Sequence, residues 1–449
     1  MNGASKGSAR TVRFFALPLT ILLIGCAAWR APIAALSELE RVKQQIHLKG
    51  AGPLTAGAAK VEITPPVGTP LAGYSKRRGK PSTGIRDPLY VRALVLNDGE
   101  DRLVLVSADL LLFPTPLAQA LQKQIEEEFK ISPQAVVLAG THTHSGAGSI
   151  AKEFLYEIVF GPYKSQVEEG IKGRVIWAVR QAAERQQPVR WGVRRADQVL
   201  AGLTENRVDP LGGTDPALTV LLLETQQGKP LGILASAAAH PTLMDSQDLR
   251  FSADYPGELC RVIEMAYPGV VCLFVNGAAG DLRPRDDIGA TSDERISRFG
   301  DALAEGVTGL VNQIAPKSSG DLAAWGWEIP LPPPQLYAGP IPIHPRIGQK
   351  LKPTRSNLNL LALDQILLVP LSAEMTVALG QDLRQRLTGQ GLEPVLLGYS
   401  DGYLGYAVTP EQWQRRTYEA WMTWYGPAFG LYLIQKVQEL AGIYESKKK

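Results

Sequence analysis

The run Val136-Val137-Leu138-Ala139-Gly140-Thr141-His142-Thr143-His144-Ser145-Gly146 ends an apolar strand in two imidazoles two residues apart. The chain has five histidines, and this run holds two of them. In extended backbone, residues i and i+2 project to the same side, so the spacing predicts both rings facing one point just beyond the strand. Imidazole nitrogen is a common zinc ligand, together with thiolate and carboxylate. A lone His-x-His is as readily a solvated strand end, so its meaning depends on what else reaches the same place.

Outward from this run, residues 90–96 and 102–107 read as strands flanking a turn at Asn97-Asp98-Gly99. Residues 115–129 follow as an amphipathic helix and 135–139 as the strand before the histidines. Further on, the pattern predicts helices at 165–186, 256–266 and 293–314, with strands at 218–224, 231–238 and 270–275. The proline-rich stretch 330–353 reads as a long surface loop able to cap a cleft. Beyond it come a hairpin over 358–369, a helix over 374–387, a strand at 394–397 and a last helical region over 411–440, interrupted near Gly426-Pro427. Strands alternating with helices predict an α/β fold, and the hairpins predict a mixed sheet core layered with helices.

Ligands in open α/β sheets collect beyond the carboxyl ends of strands. His240 closes the apolar run Leu234-Ala235-Ser236-Ala237-Ala238-Ala239 as His142 and His144 close theirs, and Asn276-Gly277-Ala278-Ala279-Gly280-Asp281 follows a third strand. Pro370-Leu371-Ser372-Ala373-Glu374 follows a fourth. Packing alone does not require three histidines, an aspartate and a glutamate at four strand ends, and a metal site at those ends is the expectation.

Composition narrows the class. With 45% hydrophobic and 20% charged residues over 449, the chain is globular and large enough for a substantial core. The formal charge of +3 arises from Lys6, Arg10, Arg13 and Arg30, in a segment without acids; without them the balance is 43 basic to 44 acidic residues. Nothing resembles a basic nucleic-acid surface. The 16 uncharged residues 14–29 would span about 24 Å as a helix, short of a roughly 30 Å hydrocarbon core. Export is therefore the first expectation. Leu23-Ile24-Gly25-Cys26 resembles a lipobox, with Cys26 as the acylated residue; an uncleaved signal anchor is the alternative. Both tether the body of the protein in the cell envelope, on the periplasmic or extracellular face. Cys260 and Cys272 admit either one disulfide or two buried thiols.

Residues from 56 to about 440 resemble the neutral ceramidases, zinc amidases that cut the amide of ceramide. The resemblance is carried by Val61-Glu62-Ile63-Thr64-Pro65-Pro66 with Leu71-Ala72-Gly73-Tyr74, the Gly140 to Gly146 run, Ala239-His240-Pro241-Thr242, the loop from Asn276 to Pro284, Ser372-Ala373-Glu374, Tyr403-Leu404-Gly405-Tyr406-Ala407-Val408-Thr409, Tyr418-Glu419-Ala420 and Tyr425-Gly426-Pro427. It implies a Zn2+ held by His142, His240, Glu374 and Tyr406. His144 would lie beside these ligands or against the substrate carbonyl, Tyr418 would face the same site, and Gly73 and Asn276 would border the substrate, a small amphiphilic lipid amide. Each residue also has a plainer role: Glu374 at a helix N-terminus, the tyrosines in packing, His240 as a strand end, Asp281 in a turn. The resemblance divides the chain into a signal or anchor over residues 1–36, a linker over 37–55 and a catalytic domain over 56–445, and the expectation is of no carboxyl-terminal β-sandwich, a domain that larger family members carry.

One loop departs from the family. Where neutral ceramidases have Gly-Asp-Val-Ser-Pro-Asn with a catalytic serine, this sequence reads Gly280-Asp281-Leu282-Arg283-Pro284-Arg285. The favoured expectation is that water activated at zinc attacks a carbonyl, an amide or an ester, while His144 and Arg283 stabilise the oxyanion, with Asp281 and Tyr418 as further catalytic candidates. Otherwise Arg283 binds a carboxylate or phosphate, pairs with Asp286 or Asp287, or marks a site that keeps metal without catalysis.

Overall fold

In the computed structural model, which describes residues 52–153, 156–338 and 341–448, eight strands form one mixed sheet. They are β1 (Thr55–Glu62), β2 (Tyr90–Asn97), β3 (Arg102–Ala108), β4 (Val136–Gly140), β5 (Gln187–Ala196), β6 (Leu218–Thr225), β7 (Pro230–Ala237) and β8 (Val271–Asn276), in the order β8-β7-β6-β5-β1-β2-β3-β4. The outer pairs β7/β8 and β3/β4 are parallel; the pairs between them are antiparallel.

β1 and β5 pair only through Thr55 with Pro188 and Ala56 with Gln187, and at this narrow junction the sheet doubles over. β8 consequently packs against β2, β3 and β4, and the Ser107 hydroxyl donates across the gap to the Phe274 carbonyl at 2.5 Å. Two apolar faces meet there, which is why residues 91–96 of β2 are buried without alternation. Helices cover both outer faces: α1 (Thr115–Phe129) and α2 (Ser165–Glu184) on the β1–β3 side, α3 (Asp254–Ala266) and α4 (Ser292–Val311) on the β6–β8 side. The small residues of β1 allow α2 to approach, and a Cβ on Gly57 would lie 2.0 Å from the Ala182 carbonyl oxygen. Folding the sheet brings its two edge strands together, and the carboxyl ends of β4, β7 and β8 meet.

A second sheet, β9 (Leu322–Pro330), β10 (Arg355–Leu363), β11 (Ile366–Leu371) and β13 (Glu393–Gly398), lies against β8. Between its last two strands stands β12 (Glu374–Met375), paired in parallel with β14 (Tyr406–Ala407). Helices α5 (Val377–Gly389) and α6 (Phe429–Lys448) complete the layer, α6 docking through Tyr444 stacked on Trp325.

The layered α/β class and the mixed sheet stand as expected, and most elements fall within two residues of their predicted bounds. Strands β1, β5 and β9 have no counterpart among the expected elements, and two further stretches differ in kind. Residues 374–387 do not form one helix: Glu374 is drawn into the β12/β14 pair, and the helix starts at Val377, whose N–H is capped by Asp281. Residues 330–353 are not wholly a loop but include a two-residue strand pair and the helix Pro345–Leu351, for which Pro345 supplies the preset first turn and the His344 ring accepts from the Arg346 N–H. Among the described residues, regular structure starts at Gly52. Cys260 and Cys272 are both buried and free. The expected leader and Cys26 lie outside the described residues, and no helix among those described is long and apolar enough to cross a membrane.

Gly57→Val should force α2 off β1 and cost about 1–3 kcal/mol, as overpacking does. Denaturant unfolding measures this, and an unchanged midpoint would show that α2 adjusts freely.

Candidate metal centre

His142 follows β4 but not as extended chain. Its φ is +70°, a conformation rarely adopted by residues with a Cβ, and the backbone turns so that its N–H donates to the Leu110 carbonyl at 2.9 Å. The two histidines therefore converge around a turn, with ring centroids 5.0 Å apart, and not through the strand alternation expected from their spacing. The ring of His142 stacks on Tyr399 at 3.7 Å, and its Nδ1 sits 2.8 Å from the Leu111 carbonyl oxygen. His240, beyond β7, places Nδ1 2.8 Å from the Ala279 carbonyl oxygen. A carbonyl only accepts, so both Nδ1 atoms carry the proton, and the neutral rings present bare Nε2 lone pairs.

Those lone pairs face each other at 3.1 Å. Glu374 Oε2 lies 3.4 Å from His142 Nε2 and 3.3 Å from His240 Nε2, buried and without a hydrogen-bond donor. Three electron-rich atoms in a triangle repel unless a cation lies among them. Bonds of about 2.0–2.1 Å in a tetrahedral zinc site separate ligand atoms by roughly 3.3 Å, which is the spacing found. The residues present thus fit a divalent cation. His144 Nε2 stands 3.4 Å from His142 Nε2, and one ligand nitrogen from each of the three rings falls within 4.8 Å of the others. Burial first, then Arg207, pushes His240 down to about 3; burial, then His142 and His240, holds His144 well below the usual histidine range. Proton uptake cannot readily neutralise the cluster.

The carboxylate is held from behind. Tyr403 donates to Glu374 Oε1 at 2.5 Å, and the β12/β14 register sets Glu374 opposite Tyr406. The Tyr406 hydroxyl accepts from Arg207 Nη2 at 2.9 Å, and the same nitrogen donates to the Gly280 carbonyl and pairs with Glu419 at 3.4 Å. Burial, then Glu374, raises the Tyr406 pKa well above the ordinary phenol value, and Arg207 pulls it back. Tyr418 is 60% exposed, its ring edge-on to Tyr406 at 6.0 Å.

Other expected site residues have different work. The Asn276 amide exchanges hydrogen bonds with the backbone of Ala239, fixing the turn into His240, and it is fully buried. Gly73, φ +109°, packs on His144: a Cβ there would stand 2.7 Å from that residue's Cα, so it is a close-approach position. Asp281 accepts from Val377 N–H, Asn206 and Gln412, which commits both oxygens to scaffolding. Arg283 pairs with Glu205 at 2.7 Å and Asp286 at 3.0 Å, so its guanidinium serves the loop instead of a developing oxyanion. Residues 110–113 are buried and cradle His142. Arg207, Tyr399 and Tyr403 were not singled out. Tyr399 does follow the end of β13, the same strand-end signal that marked the histidines.

Fold and site define a layered α/β protein with a histidine–carboxylate centre at its strand ends. Residues 54–303 match the sequence model of the neutral/alkaline non-lysosomal ceramidases, N-terminal. The chain belongs to this family. Neutral ceramidase of Pseudomonas aeruginosa is 26% identical over 287 residues, covering 59% of this chain and 40% of that protein; neutral ceramidase A of Dictyostelium discoideum is 24% identical over 308, covering 63% and 43%. The match thus spans about two-fifths of either relative. Neutral ceramidase of Mycobacterium tuberculosis is 21% identical over 472 aligned positions, covering 83% and 74%. In fold, the crystal structure of the Pseudomonas aeruginosa neutral ceramidase superposes with a TM-score of 0.78 at 20% identity, over 88% of this chain and 75% of that one.

Tyr403→Phe removes the donor that orients Glu374 and should weaken zinc binding about 10–100-fold, the usual cost of losing a partner behind a ligand. A zinc titration of purified protein decides this; unaltered affinity would detach Glu374 from the centre.

Proposed function

We propose that this protein is a zinc-dependent hydrolase that cuts an amide, or an ester, in a lipid-like or envelope-derived substrate, and that its amino-terminal segment tethers it in the cell envelope. The observation that carries the reading is the buried triangle of His142 Nε2, His240 Nε2 and Glu374 Oε2, set in a chain of the ceramidase family.

Zinc bound there would polarise a carbonyl and lower the pKa of water to around 7. His142, His240 and Glu374 would hold it, with Tyr406 as a further ligand. His144 is the one of the three imidazoles that reaches solvent, and its Nδ1 has no hydrogen-bond partner. It is placed to meet a substrate carbonyl or to carry a proton to a leaving group. Arg207 holds the Tyr406 hydroxyl and favours its ionised form, and exposed Tyr418 offers a ring at the mouth. The serine of the family loop has no counterpart, so this reading assigns no covalent step to residues 280–285.

Purified protein screened against N-acyl amides and esters should hydrolyse at least one, and a chelator should abolish the activity. Stoichiometric zinc without turnover on any of them would leave a metal-retaining binding protein instead. Arg283→Ala should retain turnover within about threefold, because its partners are loop carboxylates, whereas a loss of tenfold or more, about 1.4 kcal/mol, would return it to the reacting centre. For the tether, Cys26→Ser should release a lipoprotein from the membrane fraction; unaltered membrane retention and mass would indicate an uncleaved anchor.

A further inference from the structure

Tyr403, which orients Glu374, also borders a cavity of about 300 Å3 that the hydrolase reading does not use. The volume is at the small end of ligand pockets, roughly 300–1,000 Å3. Pro116, Leu351 and Leu404 give it an apolar wall, and one buried amine, that of Lys352, reaches it. Lys352 is only 9% exposed. Its Nζ rests 3.1 Å from the centroid of the Trp424 ring and 5.1 Å from that of Tyr156, and among the described residues it has neither an ion pair nor a hydrogen bond.

An ammonium has three donors, and aromatic faces answer only the side they cover. A buried cation is ordinarily paired. The other charges on the cavity wall do not pair with it: Arg355 is engaged by Glu328, Asp401 accepts from the Leu138 N–H, and Glu153 lies beyond ion-pair distance with a buried, unpartnered Oε2. Burial pushes the Lys352 pKa down to about 7, with Glu153 acting in the opposite direction. An anion entering the cavity would favour the charged amine and supply the acceptor that the protein does not.

We propose that this cavity binds the carboxylate end of a medium-chain organic acid, with Lys352 as counter-charge, its alkyl chain lying on Pro116, Leu351 and Leu404. A single amine suits a monoanion; phosphate recognition usually draws on bidentate arginines or several donors together, and here Arg355 is already committed. The proposal does not rest on the hydrolase reading, because no group of the triangle takes part.

The test uses full-length protein treated with chelator and titrated with sodium octanoate, read by tryptophan fluorescence because Trp424 lies under the amine. A saturable change with Kd below about 1 mM is expected, weakened about tenfold or more in Lys352→Met and kept within about threefold in Lys352→Arg. Lys352→Arg keeps the charge, so retained affinity there separates loss of the counter-charge from general loosening of the fold. Absence of saturation, equal affinity in Lys352→Met, a comparable loss in Lys352→Arg, or inorganic phosphate binding more tightly than octanoate would each overturn the assignment.

Discussion

Two imidazole nitrogens with their lone pairs turned toward each other at 3.1 Å, and a carboxylate oxygen lacking any donor completing the triangle, form the arrangement on which the rest of this structure depends. Each group alone could turn away or take a proton. Backbone carbonyls at Leu111 and Ala279 prevent the first by fixing both Nδ1 atoms as donors; burial opposes protonation of His240, while the Glu374 carboxyl, which burial pushes up, is held well below the usual carboxylate range by His142 and His240. The strain is visible in His142, held at φ +70° by a hydrogen bond to Leu110 and a stacked tyrosine. Such a conformation costs on the order of 1–3 kcal/mol and persists where the surroundings over-determine it.

Those surroundings come from the doubled sheet. β4 and β8 are opposite edges of one strand order, and had the sheet stayed open His142 and His240 would stand far apart. The two-residue junction between β1 and β5 permits the fold-over, and the apolar faces of β2, β3 and β8 drive it by burying surface on both sides. Residues 276–284 then tie the layers: Asn276 clamps Ala239, Gly280 N–H donates to the Met375 carbonyl, and Asp281 caps α5. Glu374 reaches the histidines because this loop holds β12 in place.

What the sequence made legible follows from how locally each feature is determined. Strand and helix periods are local, so the alternating pattern gave the layered class and the positions of many elements, though not the strands β1, β5 and β9, and apolar runs ending in histidine located the centre. Glu374 was placed at a strand end but wrongly put on a helix, because pairing with Tyr406, 32 positions away, outweighs the helical pattern that begins only at Val377. The extended-chain account of His142 and His144 failed because a left-handed residue cannot be read from a spacing. Asn276 and Asp281 have the chemistry of binding groups, and only their surroundings show them to be struts. Arg207 lay between strands with nothing in its neighbours to mark it.

Positive charge at the centre has a different source from the one the altered loop suggested. Arg283 stands where the resemblance leads one to expect a serine, and its guanidinium meets Glu205 and Asp286. Arg207 instead touches the Tyr406 hydroxyl and, through Glu419 and the Gly280 carbonyl, is braced against moving away. A phenol with a pKa near 10 serves as a ligand only if its ionised form is favoured, and a guanidinium within hydrogen-bond distance supplies part of that preference before any cation contributes. Gly280 and Asp281, the loop residues shared with the family pattern, are those that hold β12 and α5, whereas the divergent Arg283 lies outward with its side chain 41% exposed. The outward course of Arg283 therefore leaves intact the scaffold that assembles the histidine–carboxylate triangle.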